Sequence, residues 1–519
     1  MPKRPTSSSR VARWSMIMRQ AVRNAWPAVL SGLLVSAAFP PLSLMLVVFA
    51  ALVPWFLHLR TLSGPQAFRS GLLFGFVFAL YQMNFLVPFV ARWTGSFGLA
   101  VVPWLLASLI MMNYFGLLGW LIQRCYRSRC LWLIPLIWAL VEIIRAYFPS
   151  LAFPWGLLAT PLATQPMLIQ HAAIGNIYFV SAWIVLANVA LAEMLRPKDE
   201  FSANTPRLVL RMGLVFLAGL MISIARYGSP PDTRREVITV GQPGVDMAFT
   251  KPEEEARLLR AACSELMAGA VLQGSRLLVL PEGLVSGGSC LPPRTPFGMT
   301  PPIPTLFGGQ RRDGEKIYQS AYAYDGQWQV ADKTRLVIFG EYVPFRRQFP
   351  QIQKLFGLPD GDIVPADTIT TMTVAGLRMG PLICFEGIFA DVAEGHSSQG
   401  AQILAVMAID DWYLGTTAQE QLFAGSIFRA VETGLPVVRS AASGPSAAID
   451  SRGNVLVRAR LRETVPMRVE LPTPERSDAM RNRWLFGYVC LLAGLWVVVD
   501  PWIRRRPRAE APSSAPNQK

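Results

Sequence analysis

Apolar residues form long, nearly unbroken runs up to about residue 227, then shorten and alternate with polar ones, and lengthen again near 485–502. A run of about 18–25 apolar residues can cross a bilayer as a helix. Eight stretches read this way, at about 26–40, 42–59, 71–91, 98–122, 131–150, 168–194, 208–226 and 485–502. The first is short and stops at Pro40-Pro41. Any single run also fits a buried helical hairpin, but eight together predict an integral membrane protein. From about 232 to 475 short strands alternate with amphipathic helices, an α/β signature. Strands are predicted over 237–241, 276–281, 318–324, 327–331, 377–385, 403–409, 435–440 and 446–449, with helices over 252–272 and 418–433. The predicted partition is a basic amino terminus (1–25), a seven-helix membrane domain (26–226), an α/β domain (227–482), an eighth membrane helix (483–503) and a basic tail (504–519).

Charge orients this frame, because Lys and Arg are retained on the cytoplasmic side. Arg60 and Arg69 follow the second run, Arg124, Arg127 and Arg129 the fourth, and Arg196, Lys198, Arg207 and Arg211 the sixth. The tail carries Arg504, Arg505, Arg506 and Arg508, while the opposite short loops hold little beyond Arg92 and Arg145. This pattern predicts a cytoplasmic amino terminus and an α/β domain on the far side of the membrane. Lys3, Arg4, Arg10, Arg13, Arg19 and Arg23 precede an apolar run with no small-residue cleavage site, which reads as an uncleaved anchor. The 52% hydrophobic content and mean hydropathy of +0.33 exceed those of a soluble enzyme. The net charge of +15 reports topology and contact with anionic headgroups rather than a nucleic-acid partner.

The hydrophilic half carries the candidate chemistry. Glu282, Lys333 and Cys384 each end a β-rich apolar run, in the contexts Leu-Val-Leu-Pro-Glu282, Ala-Asp-Lys333-Thr and Leu-Ile-Cys384-Phe-Glu386. A thiolate is the nucleophile that forms covalent acyl intermediates, and a nearby ammonium and carboxylate base bring a thiol toward that state. Strand ends are also where open α/β sheets place ligands. Six cysteines and three histidines show no metal-ligand spacing, so neither a metal nor a cofactor is called for. A Cys263–Cys290 bridge stays open in an oxidising compartment. His171 reads as a packed residue. Arg346, Arg347 and Lys354 among Phe345, Phe349 and Phe356 fit either a solvated face or a membrane-facing arm. The Gly287–Gly309 stretch reads as a long loop.

Four motifs carry a resemblance: Pro281-Glu282-Gly283; Lys333-Thr-Arg-Leu-Val-Ile-Phe-Gly-Glu341-Tyr342-Val-Pro; Ile383-Cys384-Phe385-Glu386; and Arg429-Ala-Val-Glu432-Thr-Gly-Leu-Pro-Val-Val-Arg439. With Phe153-Pro-Trp155-Gly156 in the membrane half, the chain resembles the apolipoprotein N-acyltransferases, the membrane branch of the nitrilase superfamily. The resemblance implies a multi-pass α-helical membrane domain plus a nitrilase-like four-layer α-β-β-α sandwich in the periplasm of the bacterial inner membrane. It implies Glu282 as general base, Lys333 as thiolate and oxyanion stabiliser, Cys384 as nucleophile, Glu341 and Glu386 in support, and Phe385, Trp412 and Tyr342 in substrate binding. The implied reaction passes an acyl chain from a phospholipid, through a thioester, to the amine of a diacylglyceryl-cysteine lipoprotein, by a monomer. The chain departs from the family's pattern at Phe385 in place of tyrosine, at Ile409 in place of asparagine before Asp410-Asp411-Trp412, at Leu422 in place of histidine, and at Ala442-Ser443-Gly444 in place of Asn-Gly. Phe249 is the nearest aromatic to an expected tryptophan. A nitrilase-type amidase and an impaired paralogue are the competing readings. A transporter is disfavoured because the runs show neither interrupted helices nor buried charges.

Overall fold

Prolines and short polar breaks decide how the apolar runs become helices. The computed structural model describes residues 24–197, 204–229, 233–285, 293, 295, 300–344, 346, 348, 351, 361–475 and 484–504. Helix α1 (Asn24–Ala37) stops short of Pro40-Pro41. The run 42–59 divides into a 3-10 turn, Met45–Phe49, and the short α2 (Val53–Leu59), which has a proline in its first turn. The run 71–91 is shared by α3 (Gly64–Gln82) and α4 (Leu86–Thr94), which meet at a bend of 51°. Helix α5 (Phe97–Arg127) is continuous. The run 131–150 yields a 3-10 turn, Leu131–Leu133, leading into α6 (Ile134–Tyr147), itself about 21 Å at 1.5 Å per residue. Helices α7 (Ala172–Leu195) and α8 (Thr205–Gly228) complete the bundle before the α/β half.

Three of these, α5, α7 and α8, are long and apolar enough to cross a membrane, and the bent pair α3–α4 passes as a fourth. Among the described residues, the runs at 26–40, 42–59 and 485–502 give shorter apolar helices. Two expectations, about charge and continuity, are corrected. Helix α7 is interrupted, with non-helical backbone at Gly175 and Asn176. Glu142 and Arg145 are buried on α6 and are not loop charges. Their job is local: Glu142 accepts the Trp138 indole N–H at 3.0 Å and the Leu158 N–H at 2.9 Å, and Arg145 donates to the Gly156 carbonyl at 3.5 Å. They pin the 153–158 segment to the bundle, since a buried polar group must be paired.

Beyond α8 the chain builds two six-stranded sheets. The first contains β1 (Thr233–Gln242), β2 (Leu277–Val279), β3 (Thr305–Asp313), β4 (Lys316–Tyr324), β5 (Trp328–Asp332) and β12 (Val465–Pro474), ordered β12-β1-β2-β3-β4-β5. The second contains β6 (Met372–Val374), β7 (Leu377–Ile383), β8 (Ile403–Ala408), β9 (Val437–Ala441), β10 (Ala447–Ile449) and β11 (Val455–Arg458), ordered β11-β10-β9-β8-β7-β6. The central pairs β1–β2–β3 and β7–β8–β9 are parallel. Period-two alternation sets the layers. Leu277 and Val279 face Ile403, Ala405 and Met407 between the sheets. Leu278 and Leu280 pack outward on α9 (Pro252–Leu272). Leu404 and Val406 pack outward with Val392 of α10 (Ala390–Ser398) and with Phe428 and Val431 of α11 (Ala418–Thr433). The result is the expected α-β-β-α sandwich. Residues 305–309, expected in a loop, begin β3, and Cys263 is a free thiol buried in α9, while Cys290 lies outside the described residues.

Helix α11 has apolar neighbours on both sides. Every residue of it except Glu420 is buried. It shares one core with the second sheet and with Leu162, Ala163, Ile177 and Tyr178 of the bundle. The sandwich is docked on the bundle along this helix as well as tethered through α8 and α12 (Trp484–Arg504). Glu432 joins the two halves. Its carboxylate takes two 2.7 Å hydrogen bonds from Arg429 and also the Ile177 N–H, exposed by the break in α7, at 2.8 Å. Glu432→Ala leaves a buried guanidinium and a buried amide unpaired and is expected to destabilise the protein by about 3–5 kcal/mol. Thermal unfolding in detergent, with Glu432→Gln as the milder comparison, measures this.

Candidate active site

The site lies where strands of both sheets end on one side of the sandwich. Strand β7 delivers Cys384 to a 3-10 turn, Cys384–Ile388. Cys384 takes φ 52° there, a left-handed conformation for a side chain with a Cβ, at a cost of about 1–3 kcal/mol that the surroundings must hold in place. Glu386 is one group that holds it. Its Oε2 accepts the Ile383 N–H at 2.9 Å, and its Oε1 accepts Thr334 N–H and Oγ1 at 2.8 Å and Arg335 N–H at 3.0 Å. One carboxylate thus ties the Cys384 turn to the loop after Lys333.

Glu282 follows β2 and is buried. Gln319 of β4 donates to its Oε1 at 2.5 Å. The backbone behind it needs Gly308, because a Cβ there would fall 2.8 Å from the Glu282 Cα. Lys333 follows β5, and its side chain is fully enclosed. Its ammonium donates to Glu341 at 2.7 Å, and the other Glu341 oxygen accepts the Val337 N–H at 2.7 Å. Neither Glu282 nor Lys333 is a solvated surface charge. Asp332, the sequence neighbour of Lys333, pairs instead with Arg311 at 2.6 Å.

Burial sets the electrostatics. It pushes the Glu282 carboxyl up to about 7, against the opposing pull of Lys333, with Glu341 adding to the rise and Gln319 and the Cys384 thiol drawing it back. Lys333 loses stability as a cation through burial, but Glu341, Glu282, Cys384 and Glu386 more than restore it and raise its pKa. Burial also lifts the Cys384 thiol well above its usual range, Glu282 adds to this, and Lys333 offsets only part. Lys333 favours the thiolate, as expected of an ammonium, but burial and Glu282 outweigh it at Cys384. The thiol therefore rests protonated beside a carboxylate able to take its proton.

The remaining expected residues fall around this centre. Phe385 is buried, its ring stacked on Phe153 at 5.5 Å and Trp155 at 6.3 Å, so the residue after Cys384 rests on the membrane half. The hydroxyl of Tyr342 donates to the Ser150 carbonyl at 3.1 Å. Trp412 lies in the 3-10 turn Asp410–Tyr413, with its ring near Phe89, Trp93 and Phe249. Leu422 is core, and Ile409 packs over Gly283. Arg346 pairs with Asp362 at 2.6 Å, while Phe345, Arg347, Phe349, Lys354 and Phe356 of the expected arm lie outside the described residues. One residue at the site, Gln319, carries no motif in the sequence. It shares the inward face of β4 with Ala321 and Ala323, and a lone amide in that column is the signal that marks it. Asp410, buried against Arg439, and Tyr413 are both close enough for their charges to couple to that of Cys384.

A family description of the apolipoprotein N-acyltransferase N-terminal domain matches residues 31–190, and that of the carbon-nitrogen hydrolases matches residues 303–468. The chain is 30% identical to an apolipoprotein N-acyltransferase of Geobacter metallireducens, over 93% of this chain and 96% of that protein. The chain belongs to the apolipoprotein N-acyltransferase family. A second member, from Allorhizobium ampelinum, is 28% identical over 85% of this chain and 88% of its own length. Among solved structures, a carbon-nitrogen hydrolase from Helicobacter pylori is similar with a TM-score of 0.34 at 13% identity, covering 53% of this chain and 96% of that one. The chain is accordingly an acyltransferase with a carbon-nitrogen hydrolase domain.

A carboxyl raised to about 7 is proton-accepting only above that pH. Alkylation of Cys384 by a small neutral reagent such as iodoacetamide is therefore expected to accelerate as pH rises through about 7. Gln319→Met removes a donor that favours ionised Glu282, and the inflection should move upward by roughly half to one unit. Mass-spectrometric alkylation rates across pH 5.5–9 read both.

Proposed function

We propose that the protein moves a fatty acyl chain from a membrane phospholipid to the α-amine of a diacylglyceryl-modified cysteine at a lipoprotein's amino terminus, through a thioester on Cys384. The observation that carries this reading is Cys384, held at φ 52° next to a buried Glu282 whose carboxyl sits near 7, on a turn whose next ring stacks on the membrane bundle. In the first half-reaction Sγ attacks the ester carbonyl while Glu282 accepts the thiol proton. The C–S bond forms, the C–O bond breaks, and the lysophospholipid alcohol leaves with the proton from Glu282. In the second, the amine attacks the thioester, Glu282 takes the amine proton and the thiol recovers one as the C–S bond breaks. Lys333 faces the charge that develops on the carbonyl oxygen, Glu341 keeps Lys333 in place, and Glu386 fixes the nucleophile's turn.

A hydrolase of soluble amides needs no bundle of apolar helices continuous with its core, whereas a lipid ester and a lipid-anchored amine are both delivered in the plane of the membrane. The basic loops after the second, fourth and sixth apolar runs support a cytoplasmic placement for them, and so a periplasmic sandwich at the bacterial inner membrane.

Purified protein incubated with bilayer phospholipid and no acceptor is expected to gain the mass of one acyl chain. Neutral hydroxylamine should remove that mass, and Cys384→Ser should not acquire it. Wild-type protein that binds phospholipid yet stays unmodified would overturn the reading and favour an impaired paralogue.

A further inference from the structure

Arg92 takes no part in the chemistry above. It stands in the last turn of α4, the half-helix bent away from α3. Its guanidinium forms an ion pair with Asp246, lies 3.8 Å from the centroid of the Phe249 ring, and donates to the carbonyl oxygen of Asp411 at 3.5 Å. Asp246 and Phe249 follow β1, and Asp411 belongs to the turn after β8. One cation therefore touches a membrane half-helix and two loops of the sandwich.

Those loops border the reacting groups. The Asp411 carboxylate accepts the Met247 N–H at 3.0 Å, which makes the two loops one unit. Met247 packs with Ile409 over Gly283, next to Glu282. Tyr413 lies close enough to couple to the charge of Cys384, and Phe85 and Phe89 of the membrane half meet its ring at 5.5 and 5.8 Å. Phe89 and Trp93 meet Trp412 at 6.2 and 5.5 Å, and Trp412 meets Phe249 at 5.6 Å. A nine-residue helix is too short to persist by itself and takes its position from such contacts. Arg92 supplies the directional ones. The wall of rings leads outward to Trp93, an exposed apolar residue of the membrane half, a surface suited to lipid chains rather than to water.

We propose that Arg92 is a positioning residue for the acyl donor. It clamps α4 to the two loops, so that Trp412 and Tyr413 form a fixed wall beside Cys384 against which the phospholipid acyl chain lies. This rests on the reading of the site as a phospholipid-using acyltransferase. The Phe249 ring is held in that wall by the Arg92 cation against its face.

The test measures Cys384 thioester formation against phospholipid mole fraction in mixed micelles, for wild type, Arg92→Ala, Asp246→Asn, the double variant and Arg92→Lys. Each of the first two single variants is expected to raise the half-saturating phospholipid fraction about three- to fivefold, with the saturating rate within about twofold. The double variant should be no worse than either single one, and Arg92→Lys should recover part of the loss. An unmoved half-saturation in both single variants, additive losses in the double variant, or a fall in saturating rate alone would each overturn the clamp. Wild-type protein that forms no Cys384-dependent thioester removes the functional reading and the clamp together. A normal wild-type thioester with unmoved half-saturation removes the clamp alone.

Discussion

A buried ammonium governs the hydrophilic half of this protein. Lys333 is sealed from solvent, and a cation so placed persists only where carboxylates surround it. Glu341 supplies the direct contact, and Glu282 and Glu386 supply further negative charge. Each of these acids has a second duty. Glu341 accepts the Val337 N–H and so shapes the 334–342 loop; Glu386 fixes the Cys384 turn; Glu282 stands beside the thiol. The charge balance of one lysine thereby fixes the geometry of the whole site. The thiol rests protonated because burial and the Glu282 carboxylate outweigh the pull of Lys333. Proton removal falls to a base near neutrality.

The same economy of burial joins sandwich to bundle. Helix α11 is covered by the second sheet on one side and by bundle residues on the other. Polar groups cross that seam in pairs: Glu432 to the Ile177 amide, Gln421 to Gln82 at 3.0 Å, and Arg452 to the Ser229 carbonyl at 2.7 Å. Phe385 stacks on the 153–155 segment, which Glu142 and Arg145 pin from below. The residue after the nucleophile is thus positioned by charges inside the membrane half. A break in α7 that would leave an amide unpaired in the apolar core is closed by a side chain of the sandwich, so the two halves complete each other's hydrogen bonding.

Much of the site is legible in the order of residues along the chain. The ends of β2 and β7 sit where apolar runs meet Glu282 and Cys384, because a strand buried on both faces leaves a continuous apolar signature that stops at the functional residue, while the half-buried edge strand β5 ends at Lys333. Glu341 and Glu386 are also within reach, each lying within a few residues of a larger motif. Gln319 is harder, since a single amide in a strand has no motif and its meaning comes from the register of β4 against β5. Arg92 and Arg145 look like loop charges in the sequence and are not. One ends a bent half-helix against the sandwich, and the other is enclosed in the bundle.

The sequence by itself determined the division into an apolar bundle and an α/β sandwich, the position of the candidate site, and the residue types available there, because hydrophobic periodicity and short contiguous motifs are local properties. Tertiary structure alone decided the protonated resting state of Cys384 and the seam through α11 and Arg92. Each depends on which groups from different segments are buried together, and the cost of burying a charge or an amide is set by partners that the fold brings in from elsewhere in the chain, which no local pattern records.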